Sequence, residues 1–176
     1  MVLPVVLNLH ALSISGSHFD YSDRLLDRLG RLPVLAQHPV VTEFEDNLPL
    51  VGLDFIQIEQ ILTNLLGNAA KYTEPTAPIS LRVCRSKWPF QADSAPTQLG
   101  VLVEVVDQGV GIPEADLDRI FTKYYRIDLS TSGYSNTPGL GLGLAIARSL
   151  ITAHGGEIWA YPNREKGSTF AFWLSF

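Results

Sequence analysis

The segment 54–73 most constrains the fold. Ile58, Leu62, Leu65, Leu66 and Ala69 recur there at the three- and four-residue spacing of a helix that buries one side. Pro75 sets its end, because proline lacks the amide that a further helical turn requires. At about 100° per residue, Asn64, Asn68 and Lys71 fall within roughly 60° of one another on a separate face, and Gln60 extends that stripe. Asparagine is a poor helix former, so two of them inside a helix call for an explanation. A solvated face accounts for them. A binding stripe does so equally, since a neutral amide oxygen is a reasonable Mg²⁺ ligand when phosphate oxygens supply the negative charge and the Lys71 ammonium lies one turn away.

The remaining pattern supplies a sheet to cover that helix. Segments 40–44, 79–85, 101–106, 157–161 and 168–175 read as strands, and 20–32 and 140–153 as further helices, the first stopped by Pro33 and the second by Gly155 and Gly156. A turn at 109–113 leads to a short helix near 116–121, and 86–98 reads as a loop. The Ser, Thr, Gly and Asn of 127–138 predict a mobile loop. The sum is an α+β layer in which helices cover one face of a mixed, largely antiparallel sheet.

A chain of 176 residues suits one hydrophobic core. A net charge of −5 argues against sequence-independent binding to nucleic acid, yet leaves nucleotides open, because a phosphate site uses a few local amides and cations. Cys84 is the single cysteine, so no internal disulfide forms, and Leu81 and Val83 beside it predict a buried strand residue. His10, His18, His38 and His154 lack the spacing of a zinc site. The apolar run 1–7 is too short for a membrane span and lacks the basic residue of a signal peptide.

Two glycine clusters carry the chemistry. Val101, Val103 and Val105 alternate along a strand that delivers Asp107 into Asp107-Gln108-Gly109-Val110-Gly111. A carboxylate there can accept a hydrogen bond from an exocyclic amine, which adenine has and the guanine carbonyl is not. Gly109 and Gly111 permit positive φ and close approach to a flat ring, although an ordinary strand-to-helix turn has the same composition. Gly139-Leu140-Gly141-Leu142-Gly143-Leu144 opens a helix, where exposed amides and the helix dipole favour an anion. It is neither a P-loop, lacking Gly-Lys-Ser/Thr, nor a dinucleotide fingerprint, since Leu occupies position 144. Close packing through small residues is the alternative, and three glycines at a helix start weaken it.

In this order the pieces resemble the ATP-binding catalytic domain of sensor histidine kinases, in the superfamily shared with gyrase B, Hsp90 and MutL. The resemblance runs from about Leu53 to the C-terminus. Asn64-Leu65-Leu66-Gly67-Asn68-Ala69-Ala70-Lys71-Tyr72 is similar to the N box, and Asp107 to Gly111 to the first glycine box. Phe121-Thr122-Lys123-Tyr124-Tyr125-Arg126 resembles the F box, with Tyr124 where Phe is usual. Gly139 to Gly143 resembles the second glycine box, and Gly167-Ser168-Thr169-Phe170 the closing motif.

The resemblance implies a two-layer α/β sandwich, the Bergerat ATP-binding fold, over 39–176, with a lid at about 123–138. Residues 1–38 are expected either to complete the domain or to form a linker from a dimerisation domain. It further implies that Asn68 holds Mg²⁺, that Asn64, Lys71 and Arg126 act at the phosphates, and that Asp107 reads the adenine amine. Tyr72 then lines the base pocket, Gly109, Gly111, Ile112, Tyr124, Gly139, Gly141, Leu142, Gly143 and Leu144 belong to the nucleotide-binding set, and Thr169 supports adenine directly or through water. Asn64 stands where the superfamily's hydrolases carry a general-base Glu, and an amide cannot take a proton from water. The expected partner is a histidine-bearing dimerisation domain of the same kinase, with a response-regulator receiver domain downstream. The isolated domain is expected to be monomeric and cytoplasmic. A phosphoacceptor motif is absent around all four histidines. Two other readings share these boxes: a non-catalytic, nucleotide-gated interaction module and an anti-sigma-type Ser/Thr kinase.

Overall fold

The structure, a computed structural model, describes residues 27–46, 48, 51, 54–88, 98–127 and 139–175. Five strands, β1 (Val40–Phe44), β2 (Ile79–Lys87), β3 (Leu99–Val106), β4 (Glu157–Pro162) and β5 (Ser168–Ser175), form one sheet in the order β1-β2-β3-β5-β4. β1 and β2 run parallel, as the helix between them requires, and every other pair is antiparallel. The expected mixed, largely antiparallel sheet is therefore present.

Helix α1 (Phe55–Tyr72) begins where the Asp54 side chain accepts a 3.0 Å hydrogen bond from the Gln57 amide, and it ends as Thr73 turns extended. Its buried face is Ile58, Ile61, Leu62, Leu65, Leu66, Ala69 and Ala70. These pack on the inward residues of the strands, among them Leu81, Val83, Val103, Val105, Phe170 and Phe172. Helix α2 (Gly143–Ala153) packs beside α1 over β4 and contributes Ala147 and Ile151 to the same core. Leu29 and Leu35 also join this core, so residues upstream of β1 help to close the domain. Residues 27–30 are the described part of the helix expected at 20–32, and its residues 20–26 lie outside the described residues.

Several expectations shift for local reasons. The helix expected from 140 starts at Gly143, because Gly139 and Gly141 have φ of 148° and 68°, outside any right-handed helix. Its end is as expected: Gly155 is left-handed at φ 72°, and the Gly156 amide donates to the Ile151 carbonyl at 3.0 Å. The short helix expected near 116–121 is instead two 3₁₀ turns, Glu114–Asp116 and Arg119–Phe121. Cys84 is half-buried rather than buried: with Leu81 and Val83 pointing inward, strand alternation turns it to the opposite face.

That opposite face has a small aromatic core of its own. Trp173 is 1% exposed, stacked at a tilt against Trp88 with ring centroids 4.8 Å apart, and its indole N–H donates to the Ser86 carbonyl at 3.3 Å. The indole lies directly over Gly100. A Cβ at Gly100 would sit 2.3 Å from the ring and 2.2 Å from the Leu174 carbonyl oxygen, so strand or ring must move. Overpacking of this kind costs about 1–3 kcal/mol. We predict that Gly100→Ala lowers the thermal midpoint by several degrees. A melting curve superimposable on the parent's would disprove the close approach.

Candidate nucleotide site

The C-terminal half of α1, the end of β3, the N-terminus of α2 and the start of β5 meet around a cavity of about 480 Å³. Helix α1 supplies Asn64, Asn68, Lys71 and Tyr72, the stripe set by helical spacing. β3 supplies Asp107, and the chain after it Gly111 and Ile112. Gly139, Gly141, Leu142, Gly143 and Leu144 form the opposite wall, with Arg126 beside them.

Asp107 is 4% exposed. Its Oδ1 accepts hydrogen bonds from the Gly109 amide at 2.8 Å and the Ser168 amide at 3.1 Å. Burial pushes its pKa above the ordinary carboxylate value, and the same two amides pull it back down. Among the described residues no donor reaches Oδ2, which leaves one acceptor for whatever enters the cavity. The turn is held from below as well. A Cβ at Gly109 would meet the Tyr72 carbonyl oxygen at 2.3 Å, and the Val110 amide donates to that same oxygen at 3.3 Å.

The far wall has the opposite electrical character. Leu142, the N-cap of α2, makes no side-chain hydrogen bond to its first turn, and Gly143 and Leu144, whose amides have no acceptor within the helix, line the cavity. Lys71 Nζ lies 3.6 Å from where a Gly139 Cβ would stand, and Arg126 donates to the Gly139 carbonyl at 3.2 Å. The Asn64 Oδ1 accepts from Gln60 at 3.3 Å and lies against Gly143, while its buried Nδ2 has no partner among the described residues. The Asn68 side chain makes no hydrogen bond to any described residue, so its amide oxygen is open to a cation carried by an anionic ligand. Among the described residues no three His, Cys, Asp or Glu side chains cluster as a metal site.

Three residues of the expected set stand off the cavity. Gly109 lies beneath Asp107 and acts through its amide. Tyr124 has φ 65° and a ring that is 71% exposed, because its amide is tied to the Gly141 carbonyl at 2.9 Å and the ring turns outward. Thr169 pairs with Val106 on the sheet face away from the helices, and its hydroxyl donates to Asn163 at 2.7 Å. Its neighbour Ser168 lines the cavity instead, 1% exposed with an Oγ that has no partner among the described residues. Strand alternation carries the signal for Ser168, since it must share a face with Phe170, Phe172 and Leu174. Tyr125 is a second residue sequence reasoning passed over. It lines the cavity, donates to Asp116 at 2.5 Å and lies 4.5 Å beneath the Arg119 guanidinium. The expected lid is described only to residue 127, and its residues 128–138 lie outside the described residues.

Residues 53–176 match the family described as histidine kinase-, DNA gyrase B-, and HSP90-like ATPase. The chain is 35% identical over 138 residues to the sensor histidine kinase WalK of Bacillus subtilis (strain 168), covering 76% of this chain and 21% of WalK. It is 37% identical over 133 residues to the adaptive-response sensory kinase SasA of Synechococcus sp. (strain CC9311), covering 74% of this chain and 31% of SasA. The chain thus spans less than a third of either relative. Full-length ShkA in complex with AMPPNP superposes with a TM-score of 0.67 at 27% identity, over 93% of this chain and 32% of ShkA. The catalytic domain of the histidine kinase ThkA does so with a TM-score of 0.60 at 28% identity, over 87% of this chain and 92% of that domain. With the same fold and this extent of match, the chain belongs to the histidine kinase-, DNA gyrase B- and HSP90-like ATPase family, and these relatives are sensor histidine kinases.

Proposed function

We propose that this chain binds Mg·ATP and acts as the phosphate-donating half of a histidine kinase, passing the γ-phosphate to an imidazole on a separate dimerisation domain. The observation that carries the reading is Asp107: a desolvated carboxylate with one oxygen fixed by two amides and the other free toward the cavity. Oδ2 accepts the adenine amine, and the unpartnered Ser168 hydroxyl beside it offers a second polar contact to the base. Tyr72 and Ile112 supply apolar walls for the ring. Lys71, Arg126 and the leading amides of α2 take the phosphates.

Asn68 is the residue that holds Mg²⁺, and the ion supplies charge neutralisation on the phosphate chain. Asn64 occupies the position of a hydrolytic base and cannot accept a proton, so water is not activated there. Catalysis by this half is positioning and charge stabilisation, and the nucleophile comes from the partner. No helix among the described residues is long and apolar enough to cross a membrane. We place the domain on the cytoplasmic side, where ATP is, with a response-regulator receiver as the eventual recipient of the phosphate.

Mixing the chain with Mg·ATP and its cognate histidine-bearing hairpin should label the hairpin with an acid-labile phosphate. Acid-stable label would point to a hydroxyl acceptor and an anti-sigma-type kinase, and nucleotide binding without any label to an interaction module. Within the site, Asn68→Ala should abolish most of the difference between ATP affinities measured with Mg²⁺ and with a chelator. Equal differences in variant and parent would remove Asn68 from the metal role.

Asp107→Asn separates recognition from stability. Asparagine keeps an Oδ1 acceptor for the Gly109 and Ser168 amides but turns a donor toward the adenine amine, so ADP binding should weaken by about 1–3 kcal/mol. The free protein should respond in the opposite sense. A carboxyl whose folded pKa is raised adds stability below the ordinary carboxylate range, and loses it as pH rises through the higher folded value. Above that value the charged Asp107 destabilises the apo fold, and Asn does not titrate. At neutral pH the ligand-free variant should therefore melt at or above the parent's temperature, and the gap should close on acidification. A lower melting point at neutral pH would mean that the ionised carboxylate stabilises the free fold.

A further inference from the structure

Asp107 lies one residue beyond the last paired residue of β3; its amide still bonds to β5, but its carbonyl has no strand partner and is held by a different element. That element is the β4–β5 hairpin, 56 residues away in sequence. Its tip bears directly on Asp107: a Cβ at Gly167, which has φ 86°, would meet the Asp107 carbonyl oxygen at 2.2 Å. The Asp107 amide donates to the Ser168 carbonyl at 2.9 Å. The Asp107 carbonyl receives a 2.8 Å hydrogen bond from Asn163 Nδ2, the first residue after β4.

Asn163 is fully committed. Its Nδ2 also donates to the Lys166 carbonyl at 3.2 Å, its Oδ1 accepts the Thr169 hydroxyl at 2.7 Å, and its backbone amide closes the hairpin on the Gly167 carbonyl at 3.1 Å. Two carbonyls on one side and a hydroxyl donor on the other fix which end of the amide is nitrogen. Among the described residues, no other side chain hydrogen-bonds to Asp107. Asn163 does not itself line the cavity, and its hydrogen bond to a cavity-lining residue is the one to that carbonyl.

We infer that Asn163 is the positioning residue for base selection: its side-chain amide sets the plane of the Asp107 peptide and so the direction in which the free carboxylate oxygen meets the purine. The inference rests on Asp107 reading adenine as proposed above. Without the amide, the Asp107 carbonyl is left buried and unpaired, and the peptide reorients to find another donor. The carboxylate then loses its aim while Lys71, Arg126 and the α2 amides, on the other wall, keep theirs. Thr169 acts one bond further back, by holding Asn163 in the orientation that donates.

The test measures ADP, GDP and inorganic tripolyphosphate binding by calorimetry for the parent, Asn163→Ala and Asn163→Asp, with a melting curve on each. The parent should prefer ADP over GDP. Asn163→Ala should weaken ADP about tenfold, narrow the ADP-to-GDP ratio by a similar factor and leave tripolyphosphate unchanged. Asn163→Asp should do at least as much, because an ionised carboxylate would face two carbonyl oxygens. Thr169→Val keeps a β-branched strand residue and removes only the hydroxyl, so it should narrow the ratio by a smaller factor, and it carries the test if the Asn163 variants do not fold. A folded Asn163→Ala protein that keeps the parent's ADP-to-GDP ratio overturns the inference, as does an unchanged ratio in Thr169→Val where the Asn163 variants cannot be made. Loss of tripolyphosphate binding in step with ADP would assign Asn163 a general structural role and overturn it equally. A parent that shows no preference for adenine fails the underlying reading of Asp107 instead.

Discussion

A carboxylate taken out of water has to be held by fixed dipoles, and the burial of Asp107 against the Gly109 and Ser168 amides is the contact around which this domain is arranged. Three elements converge to make it. β3 brings the residue to the sheet end, the C-terminus of α1 supports the turn through the Tyr72 carbonyl, and the β4–β5 hairpin supplies an amide and presses Gly167 onto the main chain. The approaches at Gly109 and Gly167 leave no room for a Cβ, which is why glycine stands at both. Moving any one of the three elements leaves a buried oxygen without its donor.

The other wall solves the complementary problem. A chain of phosphates needs cations and amide dipoles, and an acidic residue among them would repel it. The stripe on α1 is accordingly built from neutral amides and one ammonium, with Arg126 closing the side near Gly139. One anion at one end and positive potential at the other give the cavity a direction. A ligand with an amine donor at one end and negative charge at the other fits one way round. The unpartnered Nδ2 of Asn64 and Oγ of Ser168 mark where each end still has bonding capacity to offer.

Much of this was legible in the residues. Helical spacing gave α1 and put Asn64, Asn68 and Lys71 on one side, and the alternation of Val101, Val103 and Val105 gave the strand that ends at Asp107. The same alternation, carried through β5, separates Ser168 from Thr169: Phe170, Phe172 and Leu174 face the helices, so Ser168 faces them too. Reading the closing motif as a string, rather than as a strand with two faces, passed over Ser168, which lines the cavity while Thr169 does not. The late start of α2 was harder to see, because glycine tolerates both helical and left-handed φ and only the fold selects between them. Asn163 was out of reach altogether. A lone asparagine after a strand signals a turn, and its bond to a residue 56 positions earlier exists only once the hairpin folds over the sheet end.

The distribution of unsatisfied groups separates the two ends of the sheet. At the end away from the cavity, Trp173 is packed on Gly100 and Trp88 with its indole N–H bonded, and the inward strand residues are closed off from solvent. The desolvated carboxylate, two of the three buried side-chain atoms without partners among the described residues, and the positive φ of Gly111, Tyr124, Gly139, Gly141 and Gly167 lie at or beside the cavity. The left-handed backbone of Tyr124 and unmet polar groups of this kind each oppose folding, so they persist only where the rest of the structure over-determines them. The aromatic end supplies that determination. A ligand that pairs with Asp107, Ser168 and Asn64 binds the folded state alone and stabilises it by mass action. The same features that weaken the empty domain therefore couple its stability to nucleotide concentration.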